Sequence, residues 1–186
     1  MLRRRNNASM TATTVPHLPA HPPPANEPVA GNYFVAVYPP LSAWDPVQVP
    51  ALHAALERPA PGEPLGLYIH LPFCQKKCDY CYYLSYIAQP ATVVDHYLET
   101  LVRELTLYSE RPGVKGRSLS FAYFGGGTPS ALSSTQVRYL ADGLRRALSW
   151  DGIAEVTFEC APRSVRREFL EALREIGVTR LSMGVQ

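Results

Sequence analysis

Residues 67–83 read LYIHLPFCQKKCDYCYY, and the rest of the chain can be interpreted around this stretch. Its apolar first part, with the two residues before it, predicts a β-strand over residues 65–71. Cys74, Cys78 and Cys81 follow directly after that strand. A strand that runs into a loop with three thiols predicts a functional site at the end of a sheet.

The spacing of these cysteines indicates an iron–sulfur cluster. Three thiolates on one tight loop can ligate iron, because such clusters are held by cysteine thiolates. A cluster of four irons needs four ligands, and this loop offers three. One iron would therefore stay open to bind a substrate or a cofactor.

Three other interpretations fit the cysteines less well. A structural zinc site usually takes four ligands from two paired knuckles, and the sequence has no second knuckle. A disulfide scaffold is typical of cysteine-dense secreted chains, whereas this chain has 4 cysteines in 186 residues. Three unrelated buried thiols are disfavoured, because the same loop carries the polar residues Lys76, Lys77 and Asp79.

The composition is that of an ordinary globular chain, with 46% hydrophobic residues and a formal net charge of +2. Arg3, Arg4 and Arg5 account for the net positive charge, and they lie at the very start of the chain. The rest of the sequence therefore indicates no basic face, and we expect no nucleic-acid partner. No apolar run approaches the length of a membrane span. The first 30 residues lack the apolar centre of a secretory signal. We therefore expect a cytoplasmic protein without a membrane partner.

The chain is expected to fall into three segments. Residues 1–30, rich in proline and alanine, are predicted to be a disordered tail. Residues 31–64 are predicted to be a proline-rich arm on the domain surface, with a short helix over residues 46–56. Residues 65–186 are predicted to be the domain that carries the function.

Predicted strands and helices alternate through this domain. The strands cover residues 65–71, 118–124, 155–160 and 178–186, and the helices cover residues 93–109 and two segments that begin at Ser133 and Ser164. The spacing of Thr92 and Asp95 predicts a capping box for the first helix, and Gly177 is predicted to end the last one. This order predicts an α/β fold with a parallel sheet of βαβ units.

About three and a half βα units do not close a barrel. A last strand without a covering helix would leave an apolar face and an unpaired edge. We therefore expect the front part of a longer enzyme, and we expect residues 1–186 alone to be poorly soluble or inactive. In parallel α/β barrels, active sites lie at the carboxyl ends of the strands. The cysteines, the glycines at 125–127, Glu159 and Gln186 all follow or end predicted strands, so we expect them to converge.

Three ordered motifs resemble the radical S-adenosylmethionine (radical SAM) superfamily. They are LYIHLPFC with the cysteine triplet, FGGGTPS at residues 124–130 and RLSMGVQ at residues 180–186. The residues around the cysteines and the two later motifs are similar to sequences of one branch of the superfamily. This branch contains oxygen-independent coproporphyrinogen III oxidase and its haem-chaperone relatives. The resemblance covers about residues 66–186 and implies a partial (β/α) barrel of the TIM-like radical SAM type.

The resemblance also implies cofactors and site residues. Cys74, Cys78 and Cys81 would hold a 4Fe–4S cluster, which would help cleave S-adenosylmethionine to a 5′-deoxyadenosyl radical. The residues implied to contact S-adenosylmethionine are Tyr68, Tyr80, Gly126, Gly127, Thr128, Glu159 and, for a second molecule of it, Gln186. No catalytic side chain is assigned. The implied partners are a small, tetrapyrrole-like substrate and a reductant such as flavodoxin or ferredoxin.

The sequence leaves three functions open. The first is a coproporphyrinogen III oxidase-like oxidoreductase in porphyrin and haem biosynthesis. The second is a radical methyltransferase acting on an aromatic or tetrapyrrole-like substrate, and the third is a non-catalytic haem chaperone. The oxidase has a further cysteine two residues after the third ligand, and here that position is Tyr83. The resemblance therefore does not single out the reaction of the oxidase, the decarboxylation of coproporphyrinogen.

Several residues also have ordinary structural interpretations. His70 is expected to be a core histidine with a hydrogen-bond partner, in preference to a metal ligand. Without the resemblance, Glu159 is as well explained by a salt bridge with a strand-end arginine. Cys160 is expected to be a small buried hydrophobe whose side chain points away from that of Glu159. Tyr80, Tyr82 and Tyr83 could wall the site or simply pack.

Overall fold

A computed structural model describes residues 45–59, 62–81 and 83–185. The predicted tail, residues 31–44 and 60–61 of the predicted arm, Tyr82 and Gln186 lie outside the described residues. In chain order the helices and strands are α1 (Val49–Leu56), β1 (Leu65–Leu71), β2 (Phe73–Cys74), β3 (Tyr86–Ile87), α2 (Ala91–Ser109), β4 (Leu119–Gly126), α3 (Ser134–Ala147), β5 (Glu155–Cys160), α4 (Arg167–Glu175) and β6 (Arg180–Met183). Short 3-10 turns cover Pro46–Gln48 and Pro129–Ala131.

The centre of the fold is a parallel sheet in the order β1-β4-β5-β6. Each strand pairs in parallel with the next, as in the pairs Ile69 with Phe124 and Phe124 with Phe158. A parallel pair needs a crossover connection, and helices α2, α3 and α4 lie in those connections. The predicted α/β class and parallel sheet are confirmed.

One face of the sheet carries the hydrophobic core, because alternate strand residues point to the same side. The rings of Phe124 and Phe158 stack with centroids 5.0 Å apart at its centre. The strand residues of this buried cluster are Ile69, Leu71, Leu119, Ala122, Phe124, Val156, Phe158 and Cys160. Apolar positions of α2, α3 and α4 complete it, including Leu98, Leu140, Leu144 and Leu173. The opposite face bears more exposed side chains such as Tyr68 and Phe121.

The predicted helix near Pro46 is present as a 3-10 turn followed by α1. This segment docks on the loop after α2. The Gly113 N–H donates to the Leu56 carbonyl at 2.7 Å, and Arg111 pairs with Glu57 at 3.0 Å. A side chain on Gly113 would meet the Leu56 carbonyl oxygen at 2.8 Å, so only glycine permits this approach.

Two predicted helix starts are wrong. Helix α2 begins at Ala91 after Pro90, and Pro90 provides no side-chain cap. Asp95 does not close a box with Thr92, because its Oδ1 accepts a hydrogen bond from Gln136 of α3 at 2.7 Å. A tertiary contact therefore outweighs the local spacing.

Helix α4 begins at Arg167, three residues later than predicted. The Ser164 hydroxyl instead donates to the Ala161 carbonyl at 2.8 Å and also bonds the hydroxyl of Ser130. It therefore closes the turn after β5. Gly177 follows the helix end with a positive φ of 75°, as its predicted role requires. Strand β6 covers only Arg180–Met183 of the predicted residues 178–186, because the turn after α4 lies at Ile176 and Gly177 and the regular strand ends before Gly184.

Ser133 caps helix α3, as predicted, and Gln136 completes a capping box with it. The Gln136 N–H donates to Ser133 Oγ at 3.2 Å, and the Ser133 N–H donates to Gln136 Oε1 at 2.9 Å. We expect Ser133→Ala to lower the free energy of unfolding by about 1 kcal/mol, because one helix N–H loses its partner. Thr92→Ala, at an exposed position that caps nothing, should change it by less than about 0.5 kcal/mol. Urea unfolding followed by circular dichroism measures both, and equal losses would contradict the assignment.

No helix in the described ranges is long and apolar enough to cross a membrane.

Candidate functional site

Cys74 is held between two backbone segments. On one side, β3 and the residue after it donate N–H groups to the carbonyls of Pro72 and Cys74, at 2.8 and 2.9 Å. On the other side, Gly127 and Thr128 donate to carbonyls within residues 71–73, at 2.9 and 2.8 Å. These four hydrogen bonds fix the direction in which the chain enters the cysteine loop.

Strand β4 runs two residues further than predicted, through Gly126, and Gly127 directly after it packs against the first cysteine. A side chain on Gly127 would lie 2.8 Å from the Phe73 carbonyl oxygen and 2.9 Å from Cys74 Sγ. The hydroxyl of Thr128 donates to that same sulfur at 3.4 Å. Glycine at position 127 therefore lets this backbone lie close to the backbone and sulfur of the cysteine segment. The next residue, Thr128, brings a hydrogen-bond donor to the thiol.

Cys78 and Cys81 lie in the tight turn that follows, where the Cys81 N–H donates to the Cys78 carbonyl at 3.0 Å. Cys78 is exposed, and Cys74 and Cys81 are half-buried. All three are free thiols, so neither a disulfide scaffold nor core packing explains them. All three border one cavity of about 680 Å³.

The other walls of this cavity come from the carboxyl ends of the strands. Gly127 and Thr128 border it after β4, Glu159 at the end of β5, and residues 182–185 along and after β6. The predicted convergence of strand-end groups is therefore seen for the described residues. Three cationic side chains also border the cavity, namely Lys76, Lys77 and Arg163.

Glu159 is oriented by its own chain. Tyr123 donates its hydroxyl to Oε1 at 2.7 Å, and the Gly126 N–H donates to Oε2 at 3.2 Å. Gly126 has a φ of +118°, which favours glycine. Arg180, the strand-end arginine nearby, pairs with Glu155 at 3.5 Å, so it is not the partner of Glu159. Partial burial raises the pKa of Tyr123, and the hydrogen bond to Glu159 raises it further.

Tyr68 lies beside this pair without bordering the cysteine cavity. Its ring stacks on that of Tyr123 with centroids 5.9 Å apart. Partial burial and the charge of Glu159 raise the pKa of Tyr68. Its hydroxyl is hydrogen-bonded to His70 Nδ1 at 3.1 Å. His70 has the expected partner, but it is exposed on the open face of the sheet, so the expectation of a core histidine is wrong.

Tyr80 lies outside the cavity. Its side chain is 66% exposed, and a hydrogen bond with Cys78 is the main cause that raises its pKa. Tyr80 is therefore close to the predicted ligand Cys78 but does not line the cavity. Tyr83 is also largely exposed. Gln186 is outside the described residues, so its predicted contact stays a prediction.

Cys160 belongs to the core, as predicted. It is 5% exposed and lies in the hydrophobic cluster. Burial and the charge of Glu159 raise its pKa to about 11. Although the residue borders the cavity, its thiol stays protonated at neutral pH, and a protonated thiol is a poor metal ligand.

Ser85 is a site residue that the sequence does not reveal. It borders the same cavity as the three cysteines. Its Oγ is buried and has no hydrogen-bond partner among the residues that the structure describes. A lone serine in a polar loop has no spacing that would mark it, and only the pairing of β2 with β3 brings it to the cavity.

The donor set fits an iron–sulfur cluster in its chemistry. The loop offers three free thiols on one cavity, Thr128 donates its hydroxyl to one of them, and Ser85 is a further hydroxyl-bearing residue at the cavity. Within residues 45–59, 62–81 and 83–185, no three histidine, cysteine or acidic side chains are grouped closely enough to hold a metal ion as they stand. A cluster bound here would draw the thiols together, and the exposed Cys78 has room to move.

Comparison with known proteins places the chain in a family. The sequence profile of the Radical SAM superfamily matches residues 68–186. The chain belongs to the radical SAM superfamily. Members of this superfamily generally use a 4Fe–4S cluster and S-adenosylmethionine. The match begins at Tyr68 and includes the cysteine loop, the glycine run and Glu159.

Curated relatives carry two different names. The chain is 37% identical over 126 residues to "Oxygen-independent coproporphyrinogen III oxidase" of Escherichia coli K12, covering 68% of this chain and 27% of that protein. It is 37% identical over 123 residues to "Heme chaperone HemW" of the same organism, covering 66% and 32%. It is also 37% identical over 143 residues to HemW of Mycobacterium tuberculosis H37Rv, covering 76% and 35%.

A solved structure supports the same branch. Coproporphyrinogen III oxidase (HemN) from Escherichia coli, described in its title as a radical SAM enzyme, matches with a TM-score of 0.67 and 36% identity. The match covers 74% of this chain and 31% of that structure. The radical SAM fold is therefore confirmed for the matched part. The chain spans about a third of the length of these relatives.

Proposed function

We propose that this chain is part of a radical SAM enzyme that acts like coproporphyrinogen III oxidase, as an oxidoreductase in porphyrin and haem biosynthesis. Cys74, Cys78 and Cys81 hold its 4Fe–4S cluster. The observation that carries the proposal is the single cavity on which these three free thiols meet the glycine run and Glu159. Unrelated packing cysteines would not share a cavity with the strand-end groups of a parallel sheet.

When bound, the cofactors would supply the radical chemistry, in which an electron from the cluster would cleave S-adenosylmethionine to methionine and a 5′-deoxyadenosyl radical. The chain's own residues bind and orient. Gly127 and Thr128 let the methionine part approach the backbone closely. Glu159, held by Tyr123 and by the Gly126 N–H, accepts hydrogen bonds from the amino group or the nucleoside.

Tyr68, Tyr80 and Gln186 complete the proposed cofactor contacts. Tyr68 stacks against the tyrosine that holds Glu159, which supports a place beside the nucleoside. Tyr80 is two residues from the ligand Cys78, whose thiol raises the pKa of Tyr80, and this supports a place at the rim of the cluster. Gln186, three residues after the last residue of β6 in the sequence, is proposed to contact a second S-adenosylmethionine.

The charges around the cavity support a carboxylate-bearing substrate. Lys76, Lys77 and Arg163 border it and would attract anionic groups. A coproporphyrinogen carries propionate side chains that match this sign. The exposed position of Cys78 supports electron delivery from a small carrier such as flavodoxin or ferredoxin. Four free cysteines support a reducing compartment, and the cytoplasm is part of the proposal.

A second candidate function is supported by Tyr83. The oxidase has a cysteine at that position, and Tyr83 has no thiol to offer. The relatives named as haem chaperones are as similar to this chain as the oxidase is. A haem chaperone, or a methyltransferase on the same scaffold, is therefore the alternative that the experiment must separate.

The test begins with anaerobic reconstitution of the chain with iron and sulfide. We expect a cluster whose electron paramagnetic resonance (EPR) spectrum changes when S-adenosylmethionine is added, because the open iron gains ligands. Uptake of zinc in place of iron would contradict the proposal. Product analysis with the natural polypeptide then separates the functions: loss of propionate carboxyl groups, transfer of a labelled methyl carbon, or haem binding without conversion of a porphyrinogen.

A further inference from the structure

Ser85 combines two features that rarely occur together. Its hydroxyl oxygen is buried, and it finds no hydrogen-bond partner among the described residues. Buried polar groups in native proteins are nearly always satisfied, so each exception points to a missing partner. The other such atom in the described ranges, Trp150 Nε1, belongs to a ring packed against the core and covered by Arg145. Ser85 instead borders the cysteine cavity.

The local fold holds Ser85 at this place. It directly precedes β3, whose Tyr86 pairs with Phe73 and whose Ile87 pairs with Cys74. The Tyr86 N–H donates to the Pro72 carbonyl at 2.8 Å. The backbone next to Ser85 is therefore tied to the backbone next to the first cysteine. This pairing holds the backbone of Ser85 beside the cavity.

The site already pairs a hydroxyl with a thiol sulfur. Thr128 donates to Cys74 Sγ at 3.4 Å from the glycine run. Ser85 offers a second hydroxyl from the loop on the other side of β2, and it has a donor proton to spare. A water molecule in its place would need two to four polar partners of its own, whereas a sulfur anion needs only the donor.

We infer that the Ser85 hydroxyl donates a hydrogen bond to a sulfur of the bound cluster, either a cysteine thiolate or a sulfide, and so raises the cluster's reduction potential. The inference rests on the proposed function. The reduced cluster carries more negative charge on its sulfurs, so a donor stabilises it more than the oxidised cluster. Ser85 is then a positioning and tuning residue, and it does not touch the reacting bond.

The experiment compares the reduction potential of the reconstituted cluster in four variants. Ser85→Thr and Ser85→Val have the same shape and differ only in the hydroxyl, and Ser85→Ala removes it with little change in volume. Ser149→Ala is the control, because Ser149 is an exposed serine that does not border the cavity. Potentials are measured by anaerobic redox titration followed by EPR.

We expect the cluster to have the same reduction potential in wild type, Ser85→Thr and Ser149→Ala. In Ser85→Ala and Ser85→Val, the ratio of reduced to oxidised cluster at a fixed potential should fall about fivefold, which corresponds to about 40 mV for a one-electron couple. Electron–nuclear double resonance in D₂O should show an exchangeable proton near the cluster in wild type and Ser85→Thr that is missing in Ser85→Ala.

The outcomes separate the two claims. If wild type takes up no cluster, the proposed function fails and the role of Ser85 fails with it. If all variants take up a cluster with equal potentials and the same exchangeable proton, the role of Ser85 is wrong while the proposed function stands. If Ser85→Val loses its cluster but Ser85→Thr keeps it, the hydroxyl itself is required, and this supports the inference.

Discussion

Cys78→Ser is expected to abolish cluster binding. Serine keeps the size of the side chain but replaces a soft thiolate by a hydroxyl that stays protonated at neutral pH. Changes to groups that only support a metal ligand already cost about 10–100-fold in affinity, so the loss of a ligand should cost more. Iron and sulfide content after anaerobic reconstitution, together with the visible absorbance of the cluster, measures the effect.

The matched control is Cys160→Ala, which removes the fourth cysteine of the chain. Cys160 is buried in the hydrophobic cluster, and its raised pKa of about 11 keeps it protonated. We expect this variant to keep its cluster and to lose about 1 kcal/mol of unfolding free energy, as is typical of a core substitution. A Cys78→Ser protein that binds as much iron as wild type would contradict the ligand assignment, as would loss of iron in Cys160→Ala alone.

The sheet was predictable because its strands carry period-two patterns of apolar residues. Cysteine, glycine or glutamate residues of the candidate site also mark where these strands end. The predicted bounds of β1 and β5 agree with the structure, since in each strand apolar side chains recur at every second position. Helix α3 was equally clear, because both halves of its capping box lie within four residues of sequence. Such features depend on neighbours along the chain, which the sequence states directly.

The errors fall where a distant contact decides the local structure. Asp95 is placed by Gln136 of another helix, and Ser164 by Ser130 of another loop. The error at His70 is of another kind, because strand alternation, which the sequence itself shows, directs it to the open face beside Tyr68. The short pair β2–β3 has no pattern of its own, since each strand has only two residues.

The candidate site divides in the same way. The cysteines, Gly127 and Thr128 could be found from spacing and strand ends. Tyr123 and Ser85 could not, because their roles arise only when β4 meets β5 and when β3 meets β2. A residue that supports another residue carries no motif of its own.

Gly127→Ala is expected to have the second largest effect, because the added methyl group has no room. It would lie 2.8 Å from the Phe73 carbonyl oxygen, 2.9 Å from the Pro72 carbonyl carbon and 2.9 Å from Cys74 Sγ. Two of these atoms are backbone, in a segment held by hydrogen bonds on both sides. We expect Cys74 to be displaced, unfolding free energy to fall by about 1–3 kcal/mol, and cluster content to fall sharply.

Gly143→Ala separates this local effect from general loss of stability. Its methyl group would also be crowded, at 2.5 Å from Val102 Cγ2, but at the contact between α3 and α2. Val102 is β-branched and stiff at χ1, so the strain falls on the packing of α3 against α2, away from the cysteine loop. Iron content per folded chain should therefore stay near wild type in Gly143→Ala and fall in Gly127→Ala. If both variants keep the cluster, close approach of the glycine run to Cys74 does not matter for ligation. If both lose it, the effect of Gly127→Ala reflects stability alone.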